Sequence, residues 1–148
     1  MRMAIRLSFT ALTLAPLLFF TSSCASRPPR DVVVAVPCEE FSAQAGEQIK
    51  VSRAVTIASG DNVVLRLCAN PSTGFAWGEA SFSAPSVVIE RSREFVPPAI
   101  VMPGSAGLEQ WTFEAARAGA CSIQLSYSRP WNGGEKGVWL FELDVEVR

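Results

Sequence analysis

The sequence predicts an all-β fold, an immunoglobulin-like two-sheet sandwich of about seven to eight strands. Beyond an N-terminal leader the chain is a series of runs of β-favouring residues broken by Gly, Pro, Asn and Asp. The last run alternates: Trp139, Phe141, Leu143, Val145 and Val147 share one face, and Leu140, Glu142, Asp144 and Glu146 share the other. That period of two is what a half-buried strand requires. No segment carries a convincing helical period, an internal repeat or a low-complexity tract. A closed barrel is the alternative architecture.

The elements follow in order. Residues 1–23 read as a secretory signal of lipoprotein type: Arg2 and Arg6, an apolar run from Leu7 to Phe20, then small residues. Pro16 and the short apolar length argue against a retained span, which needs about 20 apolar residues. Ser22-Ser23-Cys24 resembles the end of a bacterial lipobox, with Cys24 as the acylated residue, although Thr21 stands where that motif usually has Leu. A cut after Ala25 is the other solution. The two give different locations: a lipid-anchored protein of the bacterial cell envelope, periplasmic or surface facing, or a secreted one. Residues 24–36 form a tether and a possible edge strand, Asp31–Pro37, whose terminal proline suits an edge. The domain proper is 37–148.

Within it, strands are expected at Ile49–Ser59, Asn62–Leu67, Ala76–Phe82, Val87–Phe95 and Leu108–Ala115, then from Cys121 to Tyr127 and from Trp139 to Val147. The turns "SGDN", "NPSTG", "VPPAIVMPGSAG" and "RPWNGGEKG" connect them. Val63, Leu65 and Leu67 oppose Val64, Arg66 and Cys68; Cys121, Ile123, Leu125 and Tyr127 oppose Ser122, Gln124, Ser126 and Ser128. Trp77, Trp111 and Trp139 read as core.

Four cysteines in an exported chain invite a disulfide. With Cys24 acylated, three remain and one must stay free. If the strands from Ile49 and from Asn62 pair antiparallel, a residue before the first approaches the end of the second. That pairing predicts Cys38–Cys68, with Cys121 spare at the other end of the molecule. The alternative is three small buried thiols.

Composition narrows the function. Without the first 23 of 148 residues the chain keeps 125, with 11 of its 13 Lys and Arg against all 14 Asp and Glu, a formal charge of −3. No basic stripe remains for nucleic acid. There is no histidine, which removes the usual general base, the Ser-His and Cys-His pairs and the commonest zinc ligand. The cysteines lack metal-site spacing, no Gly-rich loop joins a strand to a helix, and Glu39, Glu40 and the acids of the last strand read as solvated. An enzyme is not expected, and neither is a cofactor or a metal.

What stands out is three turns. "NPSTGFAW" (70–77) and "SYSRPW" (126–131) closely resemble the signature loops of chagasin-type inhibitors of papain-family cysteine peptidases, and "GSAGLEQWTF" (104–113) resembles the family's third, glycine-rich loop. Order and spacing match from about Val55 to Val147. Ser72 replaces the more usual Thr, and Ala106 stands where the family often has Gly. The resemblance implies a monomeric sandwich with three loops at one end, wedged non-covalently into the cleft of a papain-family cysteine peptidase. By it, Asn70, Pro71, Ser72, Thr73, Gly74 and Phe75 would reach the enzyme's catalytic residues. Arg129, Pro130 and Trp131 would lie on the leaving-group side, with Arg129 stacking on an aromatic ring or pairing with a carboxylate. Met102, Gly104, Ser105, Ala106 and Gly107 would line the other side, with Gly104 and Gly107 permitting close approach.

Competing readings stand beside these. Pro71 and Gly74 could be hairpin punctuation, Phe75 could belong to core or contact, Arg129 could be held by an acidic neighbour, and Trp131 could cap the core. The rival function is an envelope lipoprotein whose sandwich serves binding or adhesion.

Overall fold

The computed structural model describes residues 27–41 and 48–148. The expected signal peptide and the Cys24 acylation site lie outside them. Among the described residues nine strands form two sheets. β1 (Asp31–Val36), β3 (Asn62–Ala69), β7 (Gly107–Ala115) and β6 (Val88–Val96) make the first in that spatial order. β2 (Ile49–Ile57), β9 (Trp139–Val147), β8 (Gly119–Ser128) and β4 (Ala76–Trp77) make the second, with β5 (Ser81–Phe82) also on β8. Two open sheets make this a sandwich and not a barrel, and β1 is an edge strand.

The period-two patterns decide which faces meet. Cys121, Ile123, Leu125 and Tyr127 from β8 and Phe141, Leu143, Val145 and Val147 from β9 are all buried. Across from them lie Val63, Leu65 and Leu67 of β3 and Trp111, Phe113 and Ala115 of β7. Each such large apolar side chain contributes about 1.5–3 kcal/mol by leaving water. Trp77 and Trp111 are core, as expected, while Trp139 is only partly buried against it.

Three expectations need correction. The first concerns β2 and β3, which do not pair. The turn between them is a crossover: the Ser59 N–H donates to the Arg148 carbonyl of the second sheet, and the Gly60 N–H to the Ala115 carbonyl of the first, at 2.9 and 2.8 Å. The Cys38–Cys68 bond exists nonetheless, with Cα atoms 4.9 Å apart. Its cause is the parallel pairing of β1 with β3. Val36 lies opposite Leu67, so Cys38 arrives beside the end of β3. Cys121 is free and buried.

Second, the strand expected over 76–82 is two pieces. Trp77 pairs with Tyr127 and Ser81 with Gln124, so the register advances by one residue between them. Here the guanidinium of Arg93, from the other sheet, takes the Trp77 and Gly78 carbonyls at 2.5 and 3.3 Å. Third, the chain is not wholly free of helix: single 3₁₀ turns occur at Cys38–Phe41 and Pro71–Thr73.

Candidate functional site

The turn after β3 is built by Asn70. Its side-chain oxygen accepts from the Ser72 N–H (3.2 Å) and hydroxyl (2.6 Å), and its carbonyl accepts from the Thr73 N–H (3.2 Å) and hydroxyl (2.7 Å). Pro71 occupies the first helical position, where no amide donor is needed. Gly74 closes the turn at φ +79°, its N–H on the Pro71 carbonyl. Pro71, Ser72 and Thr73 are exposed; Asn70, Gly74 and Phe75 are half-buried. The Ser72 and Thr73 hydroxyls therefore donate within the turn, and the Thr73 oxygen also accepts from the Phe75 N–H at 3.5 Å.

Asn70 also reaches its neighbours. Its amide nitrogen Nδ2 donates to the Gly104 carbonyl at 2.9 Å, and its backbone N–H to the Tyr127 phenol at 2.8 Å. The first bond joins this turn to the loop between β6 and β7. That loop ends in a tight turn in which the Ser105 N–H donates to the Met102 carbonyl (3.0 Å) and the Met102 N–H to the Ser105 hydroxyl (3.1 Å). Gly104 sits at φ +83° with open space around it. Ile100, Val101 and Met102 are 74%, 76% and 61% exposed, so the tip is apolar and free. Ala106 is half-buried against the core.

Gly107 is placed differently from expectation. It is buried as the first residue of β7, opposite Ala69. A Cβ there would lie 2.6 Å from the Phe95 ring and from the Val96 carbonyl oxygen. Its missing side chain serves internal packing, not the approach of a partner.

The third loop is braced from behind. The Arg129 N–H donates to the Glu135 carbonyl (2.8 Å), and its guanidinium meets the Glu135 carboxylate (2.9 Å). The same guanidinium lies 4.5 Å from the Phe75 ring centroid and 5.9 Å from that of Trp131. Arg129 thus has an acidic neighbour and an aromatic ring within its own chain. Lys136 Nζ donates to the Arg129 and Trp131 carbonyls, at 2.5 and 3.0 Å. Trp131 is 51% exposed, and its indole lies across Gly74, where a Cβ would come within 2.7 Å of Cη2. Pro130 is exposed beside it.

The three turns therefore touch: the first meets the second through Asn70 and Gly104, and the third through Gly74 and Trp131. Their tips bear no charged side chain. Phe75 stacks on Tyr127 (5.6 Å, 21°), which stacks on Trp139 (4.4 Å, 7°). Sequence reasoning missed Tyr127, Glu135 and Lys136 as parts of the site. A signal existed for two of them: the chain's single tyrosine closes the strand before Arg129, and Glu135 sits across a Gly-rich loop from it. Among the described residues no group of three or more His, Cys, Asp or Glu could hold a metal ion.

A family model described as chagasin family peptidase inhibitor I42 matches residues 56–145. Chagasin of Trypanosoma cruzi is 33% identical over 82 residues, which cover 53% of this chain and 74% of that protein. Amoebiasin-2 of Entamoeba histolytica is 27% identical over 95 residues, 62% of this chain and 75% of that one. Among solved structures, the cysteine protease inhibitor EhICP2 of Entamoeba histolytica has the same fold, with a TM-score of 0.61 at 19% identity over 83% of this chain and all of its own. PbICP-C, solved in complex with falcipain-2, gives 0.58 at 12% identity over 80% of this chain and 99% of its own.

Proposed function

The chain belongs to the chagasin family of peptidase inhibitors, and from that premise we propose that it inhibits papain-family cysteine peptidases by filling their cleft without covalent chemistry. The observation that supports this reading is the interlocking of three turns with uncharged tips through Asn70, Gly104, Gly74 and Trp131. A ridge already ordered before binding loses little conformational freedom on entering a groove. Ser72 and Thr73 are the small, exposed residues of its crest. Trp131 and Pro130 supply apolar area on one flank, of the kind that dominates binding hot spots. The exposed Ile100–Met102 tip supplies it on the other. Arg129 acts through Trp131 and Phe75, as their support. All three tips come from one chain, so a monomer suffices.

Titrating the domain into papain tests this. Loss of peptide hydrolysis at near-stoichiometric inhibitor is expected, and full activity at large excess would sink the reading in favour of a binding or adhesion module. From Ser22-Ser23-Cys24 alone we infer in addition that the chain is exported and lipid-anchored through Cys24. Partition into detergent, lost in Cys24→Ala, is the expected result; unchanged partition would count against it.

A further inference from the structure

We propose that Tyr127 is a positioning residue for inhibition: its phenol oxygen seats the first amide of the Asn70–Gly74 turn, and the rings on either side hold that turn in line with Trp131. The inference rests on the inhibitor reading above and adds to it a residue whose ring is buried behind the ridge.

The ladder between β3 and β7 ends at the Ala69–Gly107 pair, one residue short of Asn70. The Asn70 N–H therefore has no strand carbonyl in line, and the Tyr127 oxygen, 2.8 Å away, takes that place. Tyr127 belongs to β8, the strand that runs directly into Arg129-Pro130-Trp131. One side chain thus ties the start of the first turn to the root of the third. Its ring cannot slide easily, because Trp139 stacks on it at 4.4 Å and Phe75 at 5.6 Å. The series continues at both ends: Phe41, three residues beyond the disulfide, stacks on Trp139 at 4.8 Å, and the Arg129 guanidinium covers Phe75 at 4.5 Å. Burial pushes the phenol above its usual pKa, while hydrogen bonds with the Asn70 N–H and the Thr73 hydroxyl pull the other way.

Tyr127→Phe keeps the ring and deletes the seat. Two readouts decide: the inhibition constant against papain, and amide hydrogen exchange at Asn70 compared with Ile123 and Leu143 in the core. The expected result is exchange at Asn70 faster by at least tenfold with the core amides unchanged, and an inhibition constant raised about tenfold. Unchanged exchange at Asn70, or faster exchange by the same factor at all three amides, would overturn the proposal. So would faster exchange confined to Asn70 with inhibition unaltered. A wild-type domain that fails to inhibit papain sinks the functional reading instead, and the exchange comparison then decides the positioning of the turn by itself.

Discussion

The indole of Trp131 rests on the bare α-carbon of Gly74: a methyl group placed there would come within 2.7 Å of Cη2. Glycine is needed at this point twice over, once for the contact and once for its φ of +79°. The two demands can be separated experimentally. Gly60 has nearly the same backbone angle, +84°, at the crossover between the sheets, with nothing within 4 Å of a Cβ. Gly74→Ala and Gly60→Ala should each cost about 1–2 kcal/mol of stability through the left-handed backbone. Only Gly74→Ala should also weaken inhibition. Equal inhibition by the two variants would show that the Trp131 contact does not matter to the partner.

Trp131→Ala should raise the inhibition constant by about 100-fold, the loss of a large aromatic anchor. Half of the indole already faces solvent, so thermal melting should move little. Trp111→Ala, in contrast, empties a fully buried site and should cost about 3–5 kcal/mol. A large drop in melting temperature for Trp131→Ala would mean that this ring caps the core.

Asn70→Asp keeps the shape of the first turn and the acceptor for Ser72, but sets a carboxylate oxygen against the Gly104 carbonyl. The link between the first two turns then becomes repulsive. A loss of about 1–3 kcal/mol in inhibition is expected. Retained wild-type affinity would show that the loops need not act as one body.

The Cys38–Cys68 bond closes a segment of 30 residues and should contribute about 3–4 kcal/mol. Adding a dithiol reductant, or replacing both cysteines by Ser, should lower the melting temperature by roughly 10–20 °C. Cys121 is buried and should stay unreactive to thiol reagents until the domain unfolds. Reaction of one thiol in the native state would contradict its placement.

Asp61 is buried at the crossover. Burial alone would raise its pKa, but the Arg30 N–H and the Arg27 guanidinium outweigh it and the carboxyl titrates below its ordinary value. Glu142 is lowered too, chiefly by its hydrogen bond with Lys50. A depressed folded-state pKa means stability that is complete above the ordinary carboxylate range, about 4, and lost as the pH falls through the folded value. Melting temperature should therefore be flat from neutral pH to about 5 and decline below 4. Asp61→Asn should flatten that decline, and an unaltered acid profile would remove Asp61 as a cause.

Period-two alternation made the inner faces of β8 and β9 legible, because a strand half in water must segregate its side chains. The turn after β3 was legible too: Pro71 and Gly74 each allow few backbone states, and so mark a tight turn from sequence alone. Gly107 shows the limit. A glycine in a glycine-rich loop reads as an opening for a partner, whereas its real neighbour, Phe95, is set by pairing between β6 and β7. Arg129 shows it again: Glu135 stands across the same Gly-rich loop, but the sequence does not say that the loop closes to bring the two within 2.9 Å.

The disulfide divides the two kinds of information most clearly. Sequence by itself determined a β protein with stiff turns whose tips are uncharged, and cysteines that could pair, because those depend on residues near one another in the chain. Which strands lie side by side was decided only by the tertiary structure. The pairing of Cys38 with Cys68 was expected for a reason that fails, an antiparallel β2 and β3, and arises from parallel β1 and β3 instead. Hydrogen-bond ladders are chemically alike in every strand, so partner and direction are chosen by burial of whole faces, and that choice also brings Gly104 and Trp131 to either side of the turn after β3.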